Sequence, residues 1–214
     1  MKGILVTALL LCCNQVLVET LRRVAQDTFK LTDNEVQALN YIPDGKFSSK
    51  DCFEVLENGG ENSGWYIIEP RENNTKRKIK VYCDQTTELQ GWTVIQRNFG
   101  LKSMKLDWNN YKHGFINENT FWLGNANIFD IFDHQTTPMR MVIEAWDHED
   151  KNRTAIYDSV TMKDEAHNYE LCVNNITGPD PFGFSKFDPP CVNFTTYDRD
   201  NDFADDVNCA EMLG

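Results

Sequence analysis

Two neighbouring stretches, KIKVYCD (78–84) and GWTVIQR (91–97), set the architecture of this chain. Both are rich in β-branched and aromatic residues, and turn-forming residues bound them, so both are predicted strands. In the first, Ile79, Val81 and Cys83 share one face while Lys78, Lys80 and Tyr82 take the other. Cys83 therefore points into a core, where a bond to Cys52 would be shielded from solvent. The same pattern extends outward to GWYIIEP (64–70), MRMVIEAWD (139–147) and NYELCVN (168–174). In NYELCVN the apolar set is Tyr169, Leu171 and Val173, so Cys172 faces away from it, and Cys191 in the loop DPPCVNF can meet it there. Spacing alone does not fix connectivity. With Cys52–Cys83 and Cys172–Cys191 closed, each loop stabilises the fold by roughly 3–4 kcal/mol on chain-entropy grounds.

Helices are expected among these strands. NENTFWLGNANIFDI (117–131) offers Phe121, Ile128 and Phe129 for a buried side, with Gly124 as the stop of its first half. Residues 19–47 read as a leader region holding one short helix. Thr32-Asp33-Asn34-Glu35 has capping-box spacing, followed by Val36, Leu39 and Ile42 at helical intervals. That stretch is too brief for a coiled coil alone, and a weak role in oligomerisation is the most it supports. Helices mixed with antiparallel strands, without a βαβ rhythm, predict an α+β fold.

The N-terminus, MKGILVTALLLCCNQ, places Lys2 before an apolar run from Ile4 to Cys13. This is the layout of a secretory signal, assigned here to residues 1–18, and it is too short to span a bilayer. The competing readings are an N-terminal anchor and a buried apolar segment. No later run is long and apolar enough to cross a membrane. Asn-x-Ser/Thr sequons at Asn73, Asn152, Asn175 and Asn193 fit a secreted, extracellular glycoprotein. If Cys12 and Cys13 leave with the signal, five cysteines remain. An odd number in an oxidising compartment leaves one, Cys209, without a disulfide partner in this chain. The net charge of −12 argues against nucleic acid as a partner, and the one basic run, TKRKIK (75–80), reads as decoration of a strand edge.

The chain ends in YDRDNDFADDVNCAEMLG (197–214), with five aspartates between Asp198 and Asp206. Carboxylates this crowded need solvent, a cation or a basic partner. Asp198, Asp200 and Asp202 alternate like an EF-hand, but its positions six and twelve fall on Phe203 and Cys209, where that loop needs Gly and Glu. The EF-hand reading fails. An irregular calcium loop and a merely solvated acidic loop remain.

The blocks DCFEVLENG (51–59), SGWYIIEP (63–70), KIKVYCD, GWTVIQRNFG (91–100), DWNNYKHGF (107–115), FWLGNANI (121–128), NYELCV and FTTYDRDNDFADDVNCAEM (194–212) resemble, in order, the fibrinogen C-terminal domain family. The ending looks most like the tachylectin and ficolin lectins. The resemblance covers residues 48–214 and implies a first subdomain closed by Cys52–Cys83. It also implies a central twisted antiparallel sheet with short flanking helices and a loop-rich end carrying Ca2+ and the ligand pocket. Cys172 and Cys191 lie outside the usual pattern. Carried over, the calcium ligands are the side chains of Asp200 and Asp202 with carbonyls of Ala204 and Asp206. One extra residue before Cys209 shifts the carbonyls to Asp205 and Val207 in the alternative register. In the related lectins the partner of Cys209 and the aromatic lining of the acetyl pocket follow further on, so the domain reads as incomplete at its C-terminus.

The function so implied is a secreted, calcium-supported lectin of innate defence that binds acetylated glycans. The alternative is a protein-binding ligand of angiopoietin or tenascin type, acting on a receptor or the extracellular matrix. Enzyme chemistry finds no support. The chain has no Gly-x-Ser-x-Gly elbow, no His-Glu-x-x-His and no phosphate-cradling glycine loop, and His113, His134, His148 and His167 are scattered.

Overall fold

A computed structural model describes residues 3–6, 49–70, 77–98, 104–116, 120–133, 135, 137–146, 151–181 and 191–213. The predicted leader helix at 32–42 and the sequon at Asn73 lie outside them. The described strands are β1 (Gly3–Val6), β2 (Gly64–Ile68), β3 (Ile79–Asp84), β4 (Trp92–Asn98), β5 (Phe115–Ile116), β6 (Thr120–Trp122), β7 (Met139–Trp146), β8 (Asn152–Met162), β9 (Leu171–Thr177) and β10 (Cys191–Val192). They form one sheet in the order β10-β9-β8-β7-β1-β4-β3-β2, with β6 also on β4 and β5 on β6. Among the described residues, four short α-helices accompany it: α1 (Cys52–Glu57), α2 (Trp108–His113), α3 (Asn125–Asp133) and α4 (Cys209–Leu213). Apart from the two contacts of β1, the pairings are antiparallel. This is an α+β architecture.

Alternation explains β3: Ile79, Val81 and Cys83 are buried while Lys78 and Lys80 are exposed. Cys83 bonds Cys52 with Cα atoms 5.4 Å apart, tying α1 to the sheet. Asp51 caps α1 by accepting from the Glu54 amide at 2.9 Å. Cys172 sits opposite Cys191 in the β9–β10 register and is bonded to it. The basic run is tethered as well. Arg77 pairs with buried Asp130 of α3 at 2.9 Å, and Lys80 lies over the Trp65 ring.

The helix expected across 117–131 divides differently. Thr120, Phe121 and Trp122 are all buried and pair with β4, because a β-branched and aromatic triplet fits the pleat better than a helix turn. Gly124 precedes α3 and does not terminate a helix. At φ +101°, a Cβ there would meet the His113 carbonyl carbon at 2.7 Å. The buried side of α3 is Ile128, Ile131 and Phe132, while Phe129 is only half-buried.

Four residues near the N-terminus are described. Gly3–Val6 is an inner strand, parallel to both neighbours, with Ile4 opposite Thr93 of β4 and Met141 of β7. Residues 7–18 of the segment assigned to a secretory signal lie outside the described residues. No helix among the described residues is long and apolar enough to cross a membrane.

Candidate functional site

The acidic loop begins where β10 ends, and an aromatic anchor fixes its start. Phe194 contacts the rings of Tyr111, Trp122 and Trp108 at centroid distances of 5.2, 5.7 and 6.0 Å. Thr196 and Arg199 then exchange backbone hydrogen bonds at 3.0 and 3.1 Å, which makes a tight turn of Tyr197–Asp198.

That turn is clamped to α2. Asp198 accepts from the Trp108 amide at 2.9 Å and from the Thr196 hydroxyl at 2.8 Å. The Arg199 guanidinium lies 3.9 Å from the centre of the Trp108 ring and donates to Asn168 Oδ1 at 2.7 Å. Trp108 stacks on Tyr169 and donates its indole N–H to Glu165, which also pairs with Lys112 at 2.7 Å. Those two bonds, from Lys112 first and then Trp108, hold the Glu165 carboxyl below the usual range.

Beyond the clamp, the aspartates separate by role. Asp198 is committed to Trp108. Asp200 is exposed, and its Oδ1 accepts from the Asp202 amide at 3.2 Å. Asp202 accepts from the Ala204 amide on Oδ1 and the Cys209 amide on Oδ2, each at 2.8 Å. Burial pushes the Asp202 carboxyl upward, but the Cys209 and Ala204 amides favour its charged form, and the balance lies below the ordinary value. Asp205 and Asp206 are exposed.

The Asp200 side chain accepts from the Asp202 amide, while Asp198 Oδ1 is taken by the Trp108 amide and the Thr196 hydroxyl. Among the described residues, no three His, Cys, Asp or Glu side chains of this loop converge within 4.8 Å. A cation here would need backbone carbonyls beside the two carboxylates. Ala204 and Asp206 stand in the same turn, with the Ala204 carbonyl in long contact with the Val207 amide at 3.5 Å. Oxygen donors of this mixed kind suit a hard divalent ion, so the residues fit calcium in donor chemistry.

Cys209 is buried and belongs to neither disulfide. Asn152 and Asn175 are exposed, and Asn193 is half-buried beside the loop. His113 and His167 are exposed, while His134 and His148 fall outside the described residues. Sequence reasoning missed the clamp of Trp108, Glu165, Asn168 and Arg199. The available signal was an arginine set between aspartates in TYDRD, a cation needing a partner that the local acids do not supply.

Behind the loop lies a cavity of about 150 Å³ between β4, β7, α3 and residues 193–203. Its lining is largely apolar, with Met104, Trp122, Ile128, Phe132, Met141 and Met162 prominent, and Asp202 and Phe203 at the loop side.

Comparison with known proteins gives a consistent result. The chain is 37% identical over 166 residues to Techylectin-5A of Tachypleus tridentatus, covering 75% of this chain and 55% of that protein. It is 33% identical to human angiopoietin-related protein 2, covering 72% of this chain and 30% of the relative. It is also 33% identical to the bovine fibrinogen β chain, at 72% and 38% coverage. The chain thus spans between about a third and just over half of these relatives' length. Among solved structures, the fibrinogen-like globe domain of human ANGPTL2 superposes with a TM-score of 0.66 at 32% identity, covering 76% of this chain and 73% of that one. Lamprey fibrin D-dimer, solved with the peptide Gly-His-Arg-Pro-amide, gives 0.65 at 30% identity, covering 90% and 61%. The family model for the C-terminal globular domain of the fibrinogen beta and gamma chains matches residues 48–214, and this protein belongs to that family.

Proposed function

We propose that this chain is a secreted, calcium-supported recognition module of lectin type that binds acetylated carbohydrates in innate defence. One observation supports the reading: in a loop clamped to Trp108 through Asp198, the Asp200 side chain accepts from the Asp202 amide. Similarity to Techylectin-5A supports the lectin class. In this reading the side chains of Asp200 and Asp202, with carbonyls of Ala204 and Asp206, hold Ca2+. The ion would supply charge neutralisation and loop rigidity beside the recognition surface. Each Asp202 oxygen that accepts one amide keeps a second lone pair for the ion. With two carboxylates the affinity falls in the weak extracellular range, on the order of 10⁻⁴–10⁻³ M. Chemistry on the bound glycan is not part of the proposal.

Calorimetric titration with calcium, and retention on acetylated against deacetylated beads with and without chelator, test the reading. Calcium heat that disappears in Asp200→Ala, and retention on acetylated beads alone, are expected. Equal retention on both beads would sink the lectin. The likeness to angiopoietin-related protein 2 and to its globe domain supports a second reading, a ligand for a receptor or matrix protein. In that case capture from cell surfaces would proceed regardless of acetylation.

A further inference from the structure

We propose that the β9–β10 end of the sheet is a redox-gated site for a thiophilic divalent ion of the zinc class. Its ligands are Cys172, Cys191 and Glu170, and it opens when a thiol reduces the Cys172–Cys191 disulfide. The two cysteines stand directly opposite each other in the β9–β10 register, with Cα atoms 4.0 Å apart. Glu170 directly precedes β9, two residues before Cys172, and its Oε2 lies 3.8 Å from Cys172 Sγ. One donor atom from each of the three lies within 4.8 Å of the others. Among the described residues they are the only such trio of His, Cys, Asp or Glu. Two thiolates and a carboxylate favour a zinc-like ion over calcium, and three protein ligands leave a fourth position for water. Lys163, just past β8, pairs with the Glu170 carboxylate, an outer-sphere contact of the kind that orients a metal ligand. The acidic loop offers oxygen donors alone, so the two sites take different ions.

The two disulfides differ in access. Cys52 and Cys83 are 0% exposed, whereas Cys172, Cys191 and Glu170 are only half-buried. β10 is two residues long and stands at one end of the described sheet order, so no strand of that order covers its far side. Exposed disulfides are the ones open to an attacking thiolate. Reduction leaves β10 anchored. Three residues past Cys191, the Phe194 amide donates to the Asn168 carbonyl at 3.0 Å, and the Phe194 ring packs against Tyr111 and Trp122. Those contacts keep Cys191 facing Cys172 after the bond opens. The first thiolate displaces one cysteine and forms a mixed disulfide. A second thiol displaces the other cysteine and departs with the first as their disulfide, so the protein pair gains two electrons and two protons. The ion then displaces those protons from sulfur.

The test takes the full chain through limited reduction with dithiothreitol, followed by alkylation and mass mapping. Cys172 and Cys191 are expected to label before Cys52 and Cys83, with the near-ultraviolet circular dichroism retained. The reductant is then removed without oxygen and Cd2+ is added as a spectroscopic stand-in for zinc. A single equivalent should give a thiolate-to-metal charge-transfer band and release protons; Zn2+ should displace it, and excess Ca2+ should not. The doubly substituted Cys172→Ser, Cys191→Ser chain keeps Cys209 and should give no band. In Glu170→Gln the order of labelling should stay the same, which reports an intact fold, while Cd2+ affinity falls at least about tenfold, the loss that even an outer-sphere partner causes. Reduction of Cys52–Cys83 in step with Cys172–Cys191, or loss of the dichroism on reduction, would overturn the proposal. So would a missing band, a band that survives in the double variant, or unchanged affinity in Glu170→Gln.

Discussion

Asp202→Ala gives the sharpest test of how the acidic end is held. The substitution removes the acceptor of two backbone amides, those of Ala204 and Cys209, each at 2.8 Å. Their losses differ. Cys209 is only 5% exposed, so its N–H is left buried without that acceptor, at about 1.5–3 kcal/mol for a bond to a charged group. The Ala204 amide is half-buried and water can replace the carboxylate, which reduces its share to about 0.5–1 kcal/mol. The sum, about 2–4 kcal/mol, acts locally, because Cys209 begins α4. Amide hydrogen exchange at Cys209 should therefore accelerate on the order of 10²-fold, each 1.4 kcal/mol being a factor of ten. The sign with pH follows from the depressed carboxyl. Its stabilisation is complete above the unfolded value near 3.9 and is lost as pH falls through the lower folded value. Wild-type protection at Cys209 should thus be flat above about pH 5 and fall in acid, while Asp202→Ala should show no such fall. Unchanged exchange at Cys209 in the variant, or wild-type protection that survives at pH 2, would refute the reasoning.

Other consequences follow from the same geometry. Replacing Cys52 and Cys83 by alanine opens a loop of sequence separation 31, which costs about 3.7 kcal/mol on chain entropy, against about 3.2 for Cys172 and Cys191 at separation 19. Because both Cys52 and Cys83 are fully buried, urea midpoints should separate the two double variants further than these figures do. Gly91→Ala should destabilise by about 2–4 kcal/mol in the same assay, since φ is +66° and a Cβ would sit 2.6 Å from the Cys52 carbonyl oxygen. Arg199→Ala should cost about 1 kcal/mol through the lost contact over Trp108, and should weaken calcium binding more than it lowers the melting temperature. A chain begun at residue 19 and refolded should lose roughly 3–7 kcal/mol against one begun at Met1, from three register pairs with β4 and four with β7 at about 0.5–1 kcal/mol each. Equal stability of the two would remove β1 from the account.

The sheet strands were legible because alternation is a local signal. The faces of Ile79, Val81 and Cys83, and of Tyr169 and Val173, follow from a period of two residues and needed no distant information. Phe121 and Trp122 were misassigned because an apolar triplet beside a helical run carries no period of its own; the partner that makes it a strand is Gln96–Asn98, more than twenty residues earlier. In the acidic loop, the family resemblance pointed to Asp200 and Asp202, while the partner that engages Asp198 is Trp108, ninety residues away.

The N-terminal segment presses this point hardest. An apolar run after a single lysine satisfies a secretory leader and an inner strand with the same composition, so no local pattern separates the two. In the sheet order, β1 is the hydrogen-bonded link between β4, which carries β3, β2 and β6, and β7, which carries β8, β9 and β10. Val94, Ile95, Met141 and Ile143 beside it are buried, so side-chain packing holds the two halves near each other whatever lies between them. Packing does not satisfy backbone groups. Backbone amides and carbonyls along Thr93–Gln96 and Arg140–Ile143 find partners in β1, and buried backbone groups left without partners are costly. A segment removed as a leader would transfer that requirement to another stretch of polypeptide. Processing at the N-terminus and completion of the sheet are therefore one question.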